Sequence, residues 1–141
     1  KPLPKTEKYE LAISLEVAEH LSPERAESFI TDLCNLAGVI LFSAAIPNQG
    51  GDHHINEQWQ SYWVKEFLKN DYNVLDFIRP QIWFNTDVKS WYKQNIFLFI
   101  HQSKMELFPI DSINPFPFNI VHPEIYNIRP EKFPVKPFKP K

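Results

Sequence analysis

At 141 residues the chain is one domain or less. With 15 basic and 17 acidic residues its formal charge is −2, which excludes the basic groove a nucleic-acid partner requires. The single cysteine, Cys34, excludes an internal disulfide, and no apolar run reaches the roughly 18 residues of a membrane helix.

Lys1 to Lys8 is polar, carries Pro2 and Pro4, and reads as an extended, exposed segment. It lacks the apolar core of a signal peptide, so a reducing cytoplasm is the expected location. Tyr9 to Leu15 is an apolar run without Gly or Pro and reads as a strand. A polar turn with Glu16, Glu19 and His20 follows it. Ser22-Pro23-Glu24 is a helix start: a cap, a proline at the first position and an acid at the positive end. Ala26, Phe29, Ile30, Leu33, Cys34 and Ala37 then fall on one face, and Gly38 is the expected stop. Cys34 on that face reads as an inert core thiol.

Val39 to Ala45 reads as a strand covered on both faces. Ile46 to Ile55 is a loop with Pro47, Asn48, Gly50 and Gly51. A second helix is predicted from Glu57 to Lys69, with Trp59, Trp63 and Phe67 four apart. Tyr72 to Ile78 reads as a strand ended by Pro80, Trp83 to Trp91 as an irregular connection, and Gln94 to His101 as a last strand. The last two strands, with no clear helix between them, are expected as an antiparallel edge pair. Residues 104–141 hold eight of the 13 prolines, which argues against regular structure, while Phe108, Phe116, Phe118 and Tyr126 favour docking of its first part. Arg129 to Lys141 is expected to be a mobile basic end. Alternating strands and helices give an α/β layer fold.

The run Ile13-Ser14-Leu15-Glu16-Val17-Ala18-Glu19-His20-Leu21 resembles the fourth strand of class I S-adenosylmethionine-dependent methyltransferases, where D-L-x-x-x-x-E-V-x-E-H is familiar. Gly50-Gly51-Asp52-His53-His54-Ile55-Asn56-Glu57-Gln58-Trp59 resembles the G-G-x-x-H-x-N-E-x-W loop after strand five in a small-molecule or sugar methyltransferase subgroup. The resemblance covers roughly Tyr9 to His101 and implies half of a Rossmann-like sheet, with strands four, five, seven and six side by side and helices flanking. The expected organisation is an extended segment over 1–8, the half-domain over 9–103 and a partly docked tail over 104–141.

By this resemblance, Ser14, Leu15 and Glu16 border the methionine end of S-adenosylmethionine. His54 and His20 are the proton-transfer candidates, since a histidine beside a carboxylate can act as a base near neutral pH. Glu16 and His20, four apart, are expected to meet on a helical turn. Asn48, His53, Asn56 and Glu57 are implied in acceptor binding. A duller reading stands beside each: Glu19 and His20 solvating a helix entrance, and Asn56 capping the second helix with Glu57 in its first turn. No metal is expected. Asp52, His53 and His54 are adjacent, and adjacent residues rarely converge on one ion. The phrase Val121-His122-Pro123-Glu124-Ile125-Tyr126 reads as a docked turn.

The glycine-rich turn that grips such a cofactor is missing, because the three glycines form no G-x-G motif. The expectation is a methyltransferase-like chain lacking its N-terminal half, serving a small-molecule acceptor and binding S-adenosylmethionine only when completed. Its rival is a non-catalytic half-domain that serves as a structural or partner-binding piece. In either case the Tyr9–Leu15 strand would be an open edge, available to a separate N-terminal half or to a second copy.

Overall fold

The computed structural model describes residues 9–108 and 118–127. The N-terminal segment, Phe116 and the basic end, for which the sequence carries expectations, lie outside them. Four strands, β1 (Ala12–Leu15), β2 (Val39–Ser43), β3 (Tyr72–Leu75) and β4 (Phe97–His101), form one open mixed sheet in the order β1-β2-β4-β3. β1 and β2 are parallel, while β4 runs antiparallel to both β2 and β3. The antiparallel edge pair is therefore present.

One sheet face carries the core. Ala12, Ile40, Phe42, Phe97, Phe99 and Tyr72 pack there against Ala26, Ile30 and Leu33 of α1 (Ala26–Leu36) and Trp63, Val64 and Phe67 of α2 (Gln60–Leu68). The Phe67 and Phe99 rings stack at 3.8 Å. Both helices sit on one face because both belong to right-handed crossovers between parallel strands. On the other face Ile13 is 60% exposed, and Val39, Leu41 and Leu98 are half-buried.

Several boundaries differ from the sequence reading. Tyr9 forms an isolated bridge to Ala37, ahead of β2, and regular pairing begins at Ala12. Ser22 and Pro23 do open a helical segment, first as a 3-10 turn, but the Ser22 hydroxyl makes no capping bond to the backbone. Gly38 is not a left-handed stop. The end of α1 is tied instead by the Tyr72 hydroxyl, which donates to the Cys34 and Ala37 carbonyls at 2.9 and 2.5 Å. Cys34 is free and half-buried, and burial pushes its thiol up to about 12.

The second helix begins at Gln60, three residues late. Asn56 does not cap it; Trp59 stands in the cap position without a side-chain bond. The third strand stops at Leu75, and Ile78 belongs to α3 (Ile78–Ile82), which holds Pro80 in its first turn where no amide is needed. A second short helix, α4 (Ser90–Asn95), takes Gln94 and Asn95 out of the last strand. Between these two helices residues 83–89 are irregular, as the sequence suggests for most of Trp83 to Trp91. In the tail, α5 (Pro123–Asn127) forms despite the prolines because Pro123 occupies its first position. Residues 118–127 dock: Gln60 Nε2 donates to the Ile120 carbonyl at 2.9 Å, and the buried His122 ring packs tilted against Trp83, centroids 4.4 Å apart. No helix among the described residues is long and apolar enough to cross a membrane.

Candidate functional site

Parallel strands end on the same side of a sheet, and ligands of α/β folds bind beyond those ends. The turn after β1 and the loop after β2 accordingly meet. Because β4 is reversed, its first residue, Phe97, pairs with Phe42 at that same rim. The segment before Phe97 therefore joins them, and this brings Gln94 and Asn95 into the site.

Glu16 leaves β1 in the left-handed region, with φ of 52°. A non-glycine residue held there is strained, and the surroundings must enforce it. Its N–H donates to the Ser43 carbonyl at 3.0 Å and lies 3.2 Å from the Ser43 hydroxyl. Its carboxylate accepts from Gln49 Nε2 at 3.2 Å and from Asn95 Nδ2 at 3.3 Å. Gln49 Oε1 accepts in turn from Asn95 at 2.8 Å and Gln94 at 3.1 Å. Glu16 is thus engaged by amides and makes no ion pair with His20, contrary to the expectation from their spacing.

Glu19 and His20 sit on a 3-10 turn, Ala18–His20. The loop after β2 clamps this turn: the N–H groups of Ile55 and Asn56 both donate to the Glu19 carbonyl, at 2.9 and 3.0 Å. Glu57 organises the loop itself. Its carboxylate accepts from the amides of Asn48 at 2.7 Å and Gly50 at 3.1 Å, and meets His54 Nδ1 at 3.0 Å. His54 then directs Nε2 at Glu19 Oε1, 4.0 Å away, and its ring meets the His20 ring edge-on at 4.8 Å. Gly51 makes this possible, because a Cβ there would overlap the His54 ring.

Glu19 is fully buried. Among the described residues neither carboxylate oxygen makes a hydrogen bond of full geometry, although the backbone N–H groups of Glu19 and Ala45 approach the carboxylate. Burial pushes its carboxyl up to about 7; its own backbone N–H, His54 and the Ala45 N–H oppose that push, while the Glu16 charge adds to it. Ligand atoms of Glu19, His20 and His54 all lie within 4.8 Å of one another. Glu16, Glu19, Gln49, Gly50, Gly51 and His54 line a cleft of about 310 Å³ closed by Ser90, Trp91 and Ile125.

Comparison with known proteins finds no matching family model, no matching curated protein and no matching solved structure.

The structure therefore brings Glu16 and His54 into one cleft, with His20 outside its lining and against the His54 ring, at the end of the strand that supplies Ser14 and Leu15. Ser14 is buried and Leu15 half-buried. Asn48 and His53 are exposed and do not line that cleft. Asn56 is buried, its Oδ1 accepting from Gln58 Nε2 at 2.9 Å. Of three residues that sequence reading passed over, Gln49 and Asn95 hold Glu16 and Gln94 braces both of them. Their signal was two amides standing before the apolar run Ile96–Ile100, at the entrance of a strand expected to run backwards.

Proposed function

We propose that this chain is the acceptor-side half of a class I methyltransferase-like fold, working on a small-molecule acceptor when an N-terminal half supplies the grip on S-adenosylmethionine. The observation that carries this reading is the sheet order β1-β2-β4-β3 with β4 alone reversed. That family places strands four, five, seven and six side by side with the seventh reversed. The open side of β1 supports it too. Leu11, Ile13 and Val17 are 44, 60 and 40% exposed there, where strand one and its helices would pack.

Methyl transfer from a sulfonium is an in-line displacement, so the protein mainly positions donor and acceptor and removes a proton where the acceptor needs it. In this reading the backbone at Ser14–Glu16 borders the donor's methionine end. His54, oriented through Nδ1 by Glu57, and His20 face the acceptor. The half-buried free thiol of Cys34 accords with a reducing compartment such as the cytoplasm.

Calorimetric titration of S-adenosylmethionine tests the proposal. The chain alone should not bind, and mixing with an N-terminal half carrying a glycine-rich first turn should restore binding. A complex of the two halves that still ignores the cofactor would leave the second reading, a non-catalytic partner-binding module. Among the described residues no strand pairs with the outer edge of β1, which favours that alternative, because an unpaired strand edge associates readily.

A further inference from the structure

The geometry points to a divalent-cation site, of Zn²⁺ type, formed by Glu19, His20 and His54 at the rim of the cleft. Two imidazoles and one carboxylate are a donor set that zinc takes in sites keeping a further position for water or substrate. The three donor atoms lie within 4.8 Å of one another, and a four-coordinate zinc draws such atoms to about 3.3 Å apart. His20 is exposed, so its ring has room to turn toward the other two, while Glu19 and His54, 4.0 Å apart, must close by under about 1 Å.

Two features separate this trio from a chance cluster. The first is the Glu19 carboxylate: fully buried, 4.0 Å from His54 Nε2, and, beyond the approach of the Glu19 and Ala45 N–H groups, without a hydrogen bond of full geometry among the described residues. A buried anion left so is costly, and a bound cation removes the cost. The second is the tautomer of His54. Glu57 accepts at Nδ1, 3.0 Å away, so the neutral ring carries its proton there and turns the Nε2 lone pair to Glu19 Oε1. When the ring is neutral, that lone pair and the Glu19 oxygen face each other 4.0 Å apart, too wide for a hydrogen bond, and a cation would draw them together. A carboxylate fixing the far nitrogen of a histidine is the usual outer support of a metal ligand. The cleft lining adds the Glu16 carboxylate and no Lys or Arg.

A cation here would lower the pKa of a hydroxyl or water bound at its open position. His20 and His54 would then act as ligands, and the proton would leave from an oxygen on the metal. The inference is independent of the methyltransferase reading, since binding is measured without S-adenosylmethionine or any second chain.

The test uses the full chain freed of metal with EDTA and exchanged into chelator-free buffer. Zn²⁺ titrated by calorimetry should bind one ion per chain, and Co²⁺ should give the intense visible bands of a four- or five-coordinate ion. His20→Ala, His54→Ala and Glu19→Gln should each weaken binding at least about tenfold. His53→Ala and His101→Ala, which lie outside the trio, should change nothing. Circular dichroism checks the fold, and exposed His20 gives a variant that folds even where His54→Ala does not. Absence of binding, or binding equally strong in His20→Ala and His53→Ala, overturns the site.

Discussion

The guanidinium of Arg79 lies over the ring of Phe97, its Cζ 4.0 Å from the ring centroid. Arg79 is almost fully buried, ion-paired with Asp76, and donates to the Gln94 and Phe118 carbonyls at 3.2 and 3.1 Å. It thus fastens α3, the end of α4 and the docked tail to β4, just behind the amides that hold Glu16. Arg79→Ala should cost about 3–5 kcal/mol in urea unfolding, because it leaves the Asp76 charge buried and unpaired. Arg79→Lys should recover less than half of that, since a single ammonium cannot serve a carboxylate, two carbonyls and a ring face together.

Gly51 has φ of 151° and lies under the His54 ring. Gly51→Ala forces the ring away from Glu19 and His20. Nuclear magnetic resonance should show the His54 and His20 ring protons shifted while the core methyl signals stay in place, at a stability cost of about 1–3 kcal/mol. Unmoved histidine signals would mean that the loop adjusts around the added methyl.

Glu19 gives the metal-free chain a definite pH response. Its carboxyl titrates near 7 in the folded protein against an ordinary value of 4.5. Between those values the folded state holds a proton that the unfolded state has lost, so stability falls as pH rises from 4.5 to 7 and levels above. The full loss is of order 3 kcal/mol. In EDTA, Glu19→Gln should flatten this slope and unfold at higher urea than the parent at pH 8. A parent whose stability does not fall over that range would place Glu19 in contact with water.

The two faces of β1 should respond in opposite ways. Ala12 is 8% exposed and sits in the core beside Ile40, whereas Ile13 is 60% exposed. Ala12→Asp should destabilise the chain by more than about 3 kcal/mol, since it buries an unpaired charge. Ile13→Lys should change stability by under about 0.5 kcal/mol and yet abolish association with an N-terminal half, read by analytical ultracentrifugation.

The helix and strand cores were readable because burial imposes a period. Ile30 and Leu33 recur at helical spacing, and Val39–Ser43 is apolar throughout. The short helices α3 and α4 were not, because one or two turns carry no period and Pro80 suggests a break. The tail helix was hidden by its own proline for the same reason. At the site, Glu16, His20 and His54 stood out as polar residues after apolar strands. Glu19 stood in the same turn, with solvation of a helix entrance as its duller reading, and its burial was not legible, since nothing local says that the loop after β2 will fold over it.

What this sequence determined by itself was the pattern of apolar and polar segments, and with it an α/β layering and the two polar turns where chemistry can sit. What the tertiary structure alone decided was which of those polar groups face one another. The loop amides of Ile55 and Asn56 close on the Glu19 carbonyl across 36 and 37 positions of chain, and Asn95 reaches Glu16 across 79. A carboxylate's burial and a histidine's tautomer follow from such long-range contacts, and no local pattern encodes them.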